Sequence, residues 1–244
     1  MGESEQNPSP AKRRNQRLRT LSGVGGALVV VGAVILGYLG WELSGTTWLA
    51  QREQRLTVEA TERAWSTDES RSVSKADRAL AKDVVALVRI PALGEEYVIP
   101  VYQGTDDGTL QRGFGIFDSS PRPGAVGNFA LGGHRITNGE PLREMPSLEV
   151  GDEIIVRTAN ASYYYVLDTD GRSHTVGTGA TWVTDTDPVD PETRRPVSDV
   201  VGSTRLITLV TCAELFRTDD RLVAFGHLVA RAPSQVTRPD RTLW

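Results

Sequence analysis

The chain has 244 residues, a formal net charge of -4 and 24% charged residues. An acidic balance of this kind argues against nucleic acid as a partner, because it offers no excess of cations to a phosphate backbone. The single cysteine excludes an intramolecular disulfide, so a folded domain here must rest on its apolar core, and the length is sufficient for one.

Residues 1–19 form a basic tail carrying Lys12, Arg13, Arg14, Arg17 and Arg19. Residues 20–41 follow without a charged side chain and are rich in Val, Leu, Ile, Gly and Ala. About 20 apolar residues suffice for a helix to cross the hydrocarbon core, so this segment is expected to span the bilayer once. The flank beyond it mixes Glu42, Arg52, Glu53, Arg55 and Glu59, and the positive-inside bias therefore predicts a cytoplasmic N-terminus with everything after Trp41 outside. A cleaved signal peptide is the rival reading. It would need a shorter apolar region ending in a small-x-small site, which Leu39-Gly40-Trp41-Glu42-Leu43 does not offer.

Residues 42–82 are polar, with a helix-compatible stretch at 53–65 and a Ser/Asp/Arg-rich run at 66–78, and they read as an extracytoplasmic spacer. The pattern then changes. Short β-branched and aromatic runs separated by Gly, Pro and Asp occur at 84–90, 97–102, 128–132, 153–157, 163–168, 181–184, 205–211 and 222–230, which predicts a mainly β barrel or sandwich over residues 83–231. Residues 109–112 and 141–145 are candidates for short helices. The polar, proline-bearing stretch 184–203 is long for a connection in a compact domain, and long loops of this kind tend to be functional. Residues 232–244 read as a polar tail.

The lone cysteine, Cys212, closes the run Arg205-Leu206-Ile207-Thr208-Leu209-Val210-Thr211-Cys212. An apolar strand can end in a buried, inert cysteine, but a thiol on an exported domain can also be a nucleophile. Two other residues bear on that choice. His134, in Gly132-Gly133-His134-Arg135, has the chemistry to donate a proton to a leaving amine and accept one from an incoming amine. Arg221, opening the run 221–230, stays charged and offers fixed donors to a carbonyl or an oxyanion. Spacing alone leaves open a solvent-facing turn histidine and a strand-edge arginine.

In the order His, Cys, Arg the chain resembles the sortases, and within them class E of the actinobacteria. The resemblance is carried by Val85-Ala86-Leu87-Val88-Arg89-Ile90-Pro91, by Gly127-Asn128-Phe129-Ala130-Leu131-Gly132-Gly133-His134-Arg135, by Thr208-Leu209-Val210-Thr211-Cys212 and by Arg221-Leu222-Val223. It implies an eight-stranded sortase-type β-barrel with short helices and a triad of His134, Cys212 and Arg221. It further implies a membrane-anchored cysteine transpeptidase that cleaves a sorting signal of the Leu-Ala-x-Thr-Gly or Leu-Pro-x-Thr-Gly type between Thr and Gly. The thioacyl intermediate would pass to a cell-wall or pilin amine, without cofactor or metal, and residues 184–203 would form a wall of the peptide groove.

One departure concerns substrate choice. Class E chains usually carry Gly-His-Tyr-Pro-Gly where this one reads Gly115-Ile116-Phe117-Asp118-Ser119, so Phe117 replaces a tyrosine associated with signal recognition. A site built around a hydroxyl discriminates through it, and its loss bears on Ala against Pro at the second signal position. Phe117 and Thr211 are the candidate substrate-binding residues. His227 stands as a rival partner for Cys212 if a bulge shifts the register of the last strand. The clustered acids of 168–170 and 185–190 complete no calcium loop, and no histidine pair has zinc-ligand spacing. A hydrolytic cysteine peptidase and a non-catalytic β-domain remain the alternatives.

Overall fold

The computed structural model describes residues 26–35, 37–38, 46–66, 73–198, 204–212 and 219–234. The basic tail 1–19, both ends of the apolar segment 20–41 and the tail beyond residue 234 lie outside the described residues. Residues 26–35 and 37–38 are helical. Among the described residues, no helix is long and apolar enough to cross a membrane. The chain divides into two compact units, Met1–Gly45 and Thr46–Trp244.

In the second unit the β-branched runs become strands β1 (Ala86–Arg89), β2 (Val98–Gln103), β3 (Phe114–Ile116), β4 (Gly127–Gly132), β5 (Glu153–Arg157), β6 (Ala161–Leu167), β7 (His174–Gly177), β8 (Arg205–Cys212) and β9 (Asp220–Pro233). Their order is β6-β5-β1-β2-β3-β4-β8-β9-β7, and a further β6–β9 pairing closes the sheet. Eight strands therefore make the barrel, and β7 is added outside it. β6 and β7 share one edge of β9, with β6 pairing Gly226 to Pro233 and β7 pairing Asp220 to Val223.

Alternation sorts the side chains. Val88, Val101, Phe129, Leu131, Ile154, Val156, Tyr165, Ile207, Leu209 and Ala224 fill the interior. Burying each of the larger ones stabilises the fold by roughly 1.5–3 kcal/mol. On the outer face Val183, Val210, Val223 and Phe225 form a second cluster, joined by Phe117, Val176, Trp182 and Val197.

Five segments differ from the sequence expectation, one of them β7, which lies in no expected strand run. Residues 181–184, expected as a strand, form a 3-10 turn, Thr181–Thr184, closed by the Thr184 hydroxyl on the Thr181 carbonyl at 3.0 Å. Residues 141–144 are turns, and the helical element there is the 3-10 turn Met145–Ser147. β3 was hidden by Gly115, which reads as a breaker. It is instead a close approach, for a Cβ at this position would lie 2.3 Å from the Gly104 carbonyl oxygen. The fifth difference is the polar stretch 42–82. Its described part folds as helices α1 (Thr46–Ala64) and α2 (Lys75–Ala81), and α1 packs on the barrel. The buried face of α1 is Gln54, Thr57, Ala60 and Thr61, and Val58 and Trp65 meet Val84, Leu87 and Tyr102. A docking face made of short and polar side chains lacks the apolar stripe by which an amphipathic helix is recognised. Downstream, α3 (Asp107–Arg112) matches the short helix expected at 109–112 and is capped by the Asp106 side chain.

Candidate active site

The ends of three adjacent strands meet at one rim of the barrel. β4 and β8 run parallel, with Gly132 beside Val210. The ladder extends one step further through the Gly133 amide, which donates to the Val210 carbonyl at 3.1 Å. The buried Thr211 hydroxyl then donates to the Gly133 carbonyl at 2.8 Å. These bonds hold the chain leading into His134 against the stretch of β8 that ends in Cys212. On the other side β8 and β9 are antiparallel, and Cys212 is the register partner of Arg221. Partners in an antiparallel ladder share a face of the sheet. Arg221 has the parity of Val223, so its position belongs to the outer face with the second cluster.

Gly133 fits only as glycine, because a Cβ there would lie 2.8 Å from Cε1 of the buried Phe114. His134 is half-buried, and its Nε2 is out of solvent with no hydrogen-bond partner among the described residues. Burial pushes the His134 pKa below its ordinary 6.5, while the Asp107 carboxylate on α3 acts in the opposite direction. The imidazole is therefore mainly neutral near pH 7. Arg221 is also half-buried, and its Nη1 donates to the Asp220 carbonyl at 3.0 Å.

Phe117 lies beside this rim. Its ring comes within 3.5 Å of where a Cβ on Gly132 would sit, and it packs in the outer cluster. Thr211 is buried, with its hydroxyl engaged by Gly133, so its link to the site runs through the backbone of the histidine turn. His227 pairs with Leu206 at the far end of the ladder. At about 3.3 Å per residue that is roughly 20 Å along β9 from Arg221. The strand bulge falls between β6 and β9, at Tyr164/Tyr165, and leaves the β8–β9 register regular. His227 therefore does not stand opposite Cys212, and its Nδ1 lies 2.7 Å from Asp168 Oδ1.

Two residues inside the quoted motif segments, to which the sequence reading gave no role, build the wall of this face. Thr208 donates to Asn128 Oδ1 at 2.7 Å, and Asn128 Nδ2 donates to the Val183 carbonyl at 3.0 Å. Both side chains are fully buried. The network ties the Thr181–Thr184 turn, and with it Trp182 and the start of the 184–203 segment, to β4 and β8. The signal was present in the sequence as an asparagine inside an apolar strand, since a buried amide requires partners. Val197 fastens the segment further on, and an isolated Val189–Pro196 bridge closes it on itself; residues 199–203 lie outside the described residues.

Among the described residues, no group of three or more His, Cys, Asp or Glu is placed to hold a metal ion. The turn acids are occupied locally, Asp170 by the backbone amides of Arg172 and Ser173 and Asp190 by that of Glu192.

The family model for the sortase domain matches residues 88–229, which is more than half of the chain. The chain belongs to the sortase family. Sortases are cysteine transpeptidases acting on proteins that bear sorting signals. Sortase SrtE1 of Streptomyces coelicolor is 34% identical over 163 residues, covering 64% of this chain and 43% of that relative, so the chain spans under half of the relative's length. Sortase SrtE2 of the same organism is 25% identical over 238 residues, covering 89% of this chain and 86% of that protein. Among solved structures, sortase E from Streptomyces avermitilis matches with a TM-score of 0.55 at 30% identity, over 65% of this sortase and 95% of that chain. A crystal structure of sortase E1 from Streptomyces coelicolor with a tripeptide in its active site gives the same TM-score of 0.55, identity of 30% and coverage of 65% and 95%. The eight-stranded barrel is the sortase fold, and the likeness is to class E.

Proposed function

We propose that this sortase is a membrane-anchored transpeptidase that cleaves a Leu-Ala-x-Thr-Gly or Leu-Pro-x-Thr-Gly signal between Thr and Gly and joins the protein to an amine. The observation that carries the reading is the strand register, in which the end of β4 before His134, the end of β8 at Cys212 and the start of β9 at Arg221 share one rim.

In the proposed reaction the Cys212 thiol gives its proton to the neutral His134 imidazole. The thiolate attacks the Thr carbonyl carbon, and Arg221 stabilises the oxyanion. Collapse breaks the C–N bond, the imidazolium protonates the departing glycine amine, and a thioester remains. A cell-wall precursor or pilin amine then loses its proton to His134, attacks the thioester and releases the thiol. The acyl energy is conserved in the thioester. Phe117 and the wall from Trp182 to Val197 would border the peptide, and the missing tyrosine hydroxyl leaves Ala and Pro signals to be compared directly.

The charge-free segment 20–41, preceded by Lys12 to Arg19, supports a single-pass anchor with a cytoplasmic N-terminus and an extracellular catalytic domain. The test is product analysis by mass spectrometry of the full-length chain in detergent, incubated with each signal peptide and a glycine-type amine, with Cys212→Ala as control. The expected outcome is an amide transfer product absent from the control. Cleavage to the free acid regardless of amine would instead establish a peptidase, and an intact peptide with no acyl adduct would overturn the reading.

A further inference from the structure

We propose that helix α1 is a positioning element for His134, acting through Gln51 and Gln54 on the loop that follows the histidine. The proposal rests on the reading of His134 as the acid–base residue. After His134 the chain leaves the barrel, turns, and returns at Leu142, whose amide donates to the His134 carbonyl at 3.0 Å and whose side chain is fully buried. The loop is thus closed on the histidine's own backbone. Its return is held a second time by the Tyr97 hydroxyl, which donates to the Pro141 carbonyl.

The apex between these points is strained. Asn138, Gly139 and Glu140 have φ values of 52°, 86° and 53°, three successive residues in the left-handed region, two of them with a Cβ. Such a conformation persists only where the surroundings over-determine it. The surroundings are α1. Gln54 Nε2 donates to the Asn138 carbonyl at 3.4 Å, Gln51 Nε2 to the Gly139 carbonyl at 3.3 Å, and the Thr47 hydroxyl to Glu140 Oε1 at 3.5 Å. Gln54 is only 4% exposed, and a Cβ on Gly139 would lie 2.7 Å from its Nε2, so the amide is pressed flat against the glycine. The helix can bear on the loop because it is itself seated on the barrel, by Ala60 and Thr61 at 0% exposure and by the Glu62–Arg157 ion pair at 3.1 Å.

The barrel, α1, the loop apex and the His134 backbone therefore form one continuous strut. Of the charged groups nearby, Asp107 on α3 acts on His134, Glu140 pairs with Arg143 within the loop, and Arg221 stands on β9. Releasing the apex admits water to the imidazole, whose burial then relaxes.

The test uses the full-length chain in detergent micelles with labelled histidine, a manageable spectrum because the chain has only 3. Gln54→Met keeps volume and removes the donor, and Gln51→Ala is the milder companion should the buried variant misfold. In either variant the His134 titration midpoint is expected to rise toward 6.5. The acidic limb of the kcat–pH profile should follow it, with kcat falling roughly tenfold and KM for the signal peptide unchanged. An unmoved His134 titration and pH profile in folded Gln51→Ala would overturn the proposal. The titration is read without turnover, so a chain that transfers no signal peptide would refute the activity and still decide whether α1 sets the histidine.

Discussion

Replacing Asn128 by alanine strands two buried groups at once, the Thr208 hydroxyl that donates to it and the Val183 carbonyl that accepts from it. Each unsatisfied buried group costs about 1–3 kcal/mol, so the total expected is roughly 2–6 kcal/mol. For a domain of this size about 1 kcal/mol moves the midpoint by about 2–4 °C, which gives a Tm lower by roughly 8–16 °C at the centre of that range. Thr208→Val removes the donor alone and should cost about 1–3 kcal/mol. Because the two side chains partner each other, the double variant should fall short of the sum of the singles by about 1 kcal/mol. Calorimetry of the four proteins measures the cycle. The same lesion frees the Thr181–Thr184 turn, so KM for the signal peptide should rise more than kcat falls. A Tm for Asn128→Ala within about 2 °C of the parent, or strict additivity, would refute the claim that this network anchors the wall.

Asp107→Asn should move the His134 titration further below 6.5, since the carboxylate is the group that opposes burial; the effect should shrink with added salt, and nuclear magnetic resonance reads both. Because the folded-state value lies below that of the unfolded chain, the unfolded chain takes up this proton first as pH falls. The contribution of His134 is thus a loss of stability that begins near pH 6.5 and is complete below the folded value, and His134→Gln should abolish it in Tm-against-pH measurements. Gly133→Ala drives a methyl into Phe114 and Leu142 and should destabilise by about 1–3 kcal/mol in denaturant titration. A fragment beginning at residue 83 uncovers Val84, Leu87 and Tyr102 and should melt below one beginning at residue 46, compared by scanning calorimetry.

The strand runs and the Gly-Gly-His turn were legible because alternation and glycine chemistry are local properties. β1, β2, β4, β5, β6, β8 and β9 fall in or beside the β-branched and aromatic runs expected as strands. The turn at 181–184 was misread because Thr-Trp-Val-Thr has strand propensity, and what overrides it is the tie from Asn128, far away in the chain. β7 escaped notice because its residues alternate between half-buried and exposed without an apolar face. The motif reading carried His134, Cys212 and Arg221 as a set, but their common rim depends on a parallel pairing that no local pattern encodes. The same holds for α1, whose seat is made of threonine, alanine and glutamine, and whose purchase on the 138–140 apex is visible only in three dimensions.

The parallel union of β4 with β8 has a kinetic consequence. Antiparallel partners can zip from a hairpin, whereas these two strands are separated by β5, β6 and β7 and the long segment after them. The entropy of closing so large a loop falls due before any contact rewards it, so the pairing belongs to the slow end of folding. Until it forms, the thiol and the imidazole are strangers on a fluctuating chain. If Cys212 is the nucleophile of the proposed reaction, a newly made molecule would be chemically quiet through most of its folding, and the appearance of a fast-reacting cysteine would report completion of the barrel.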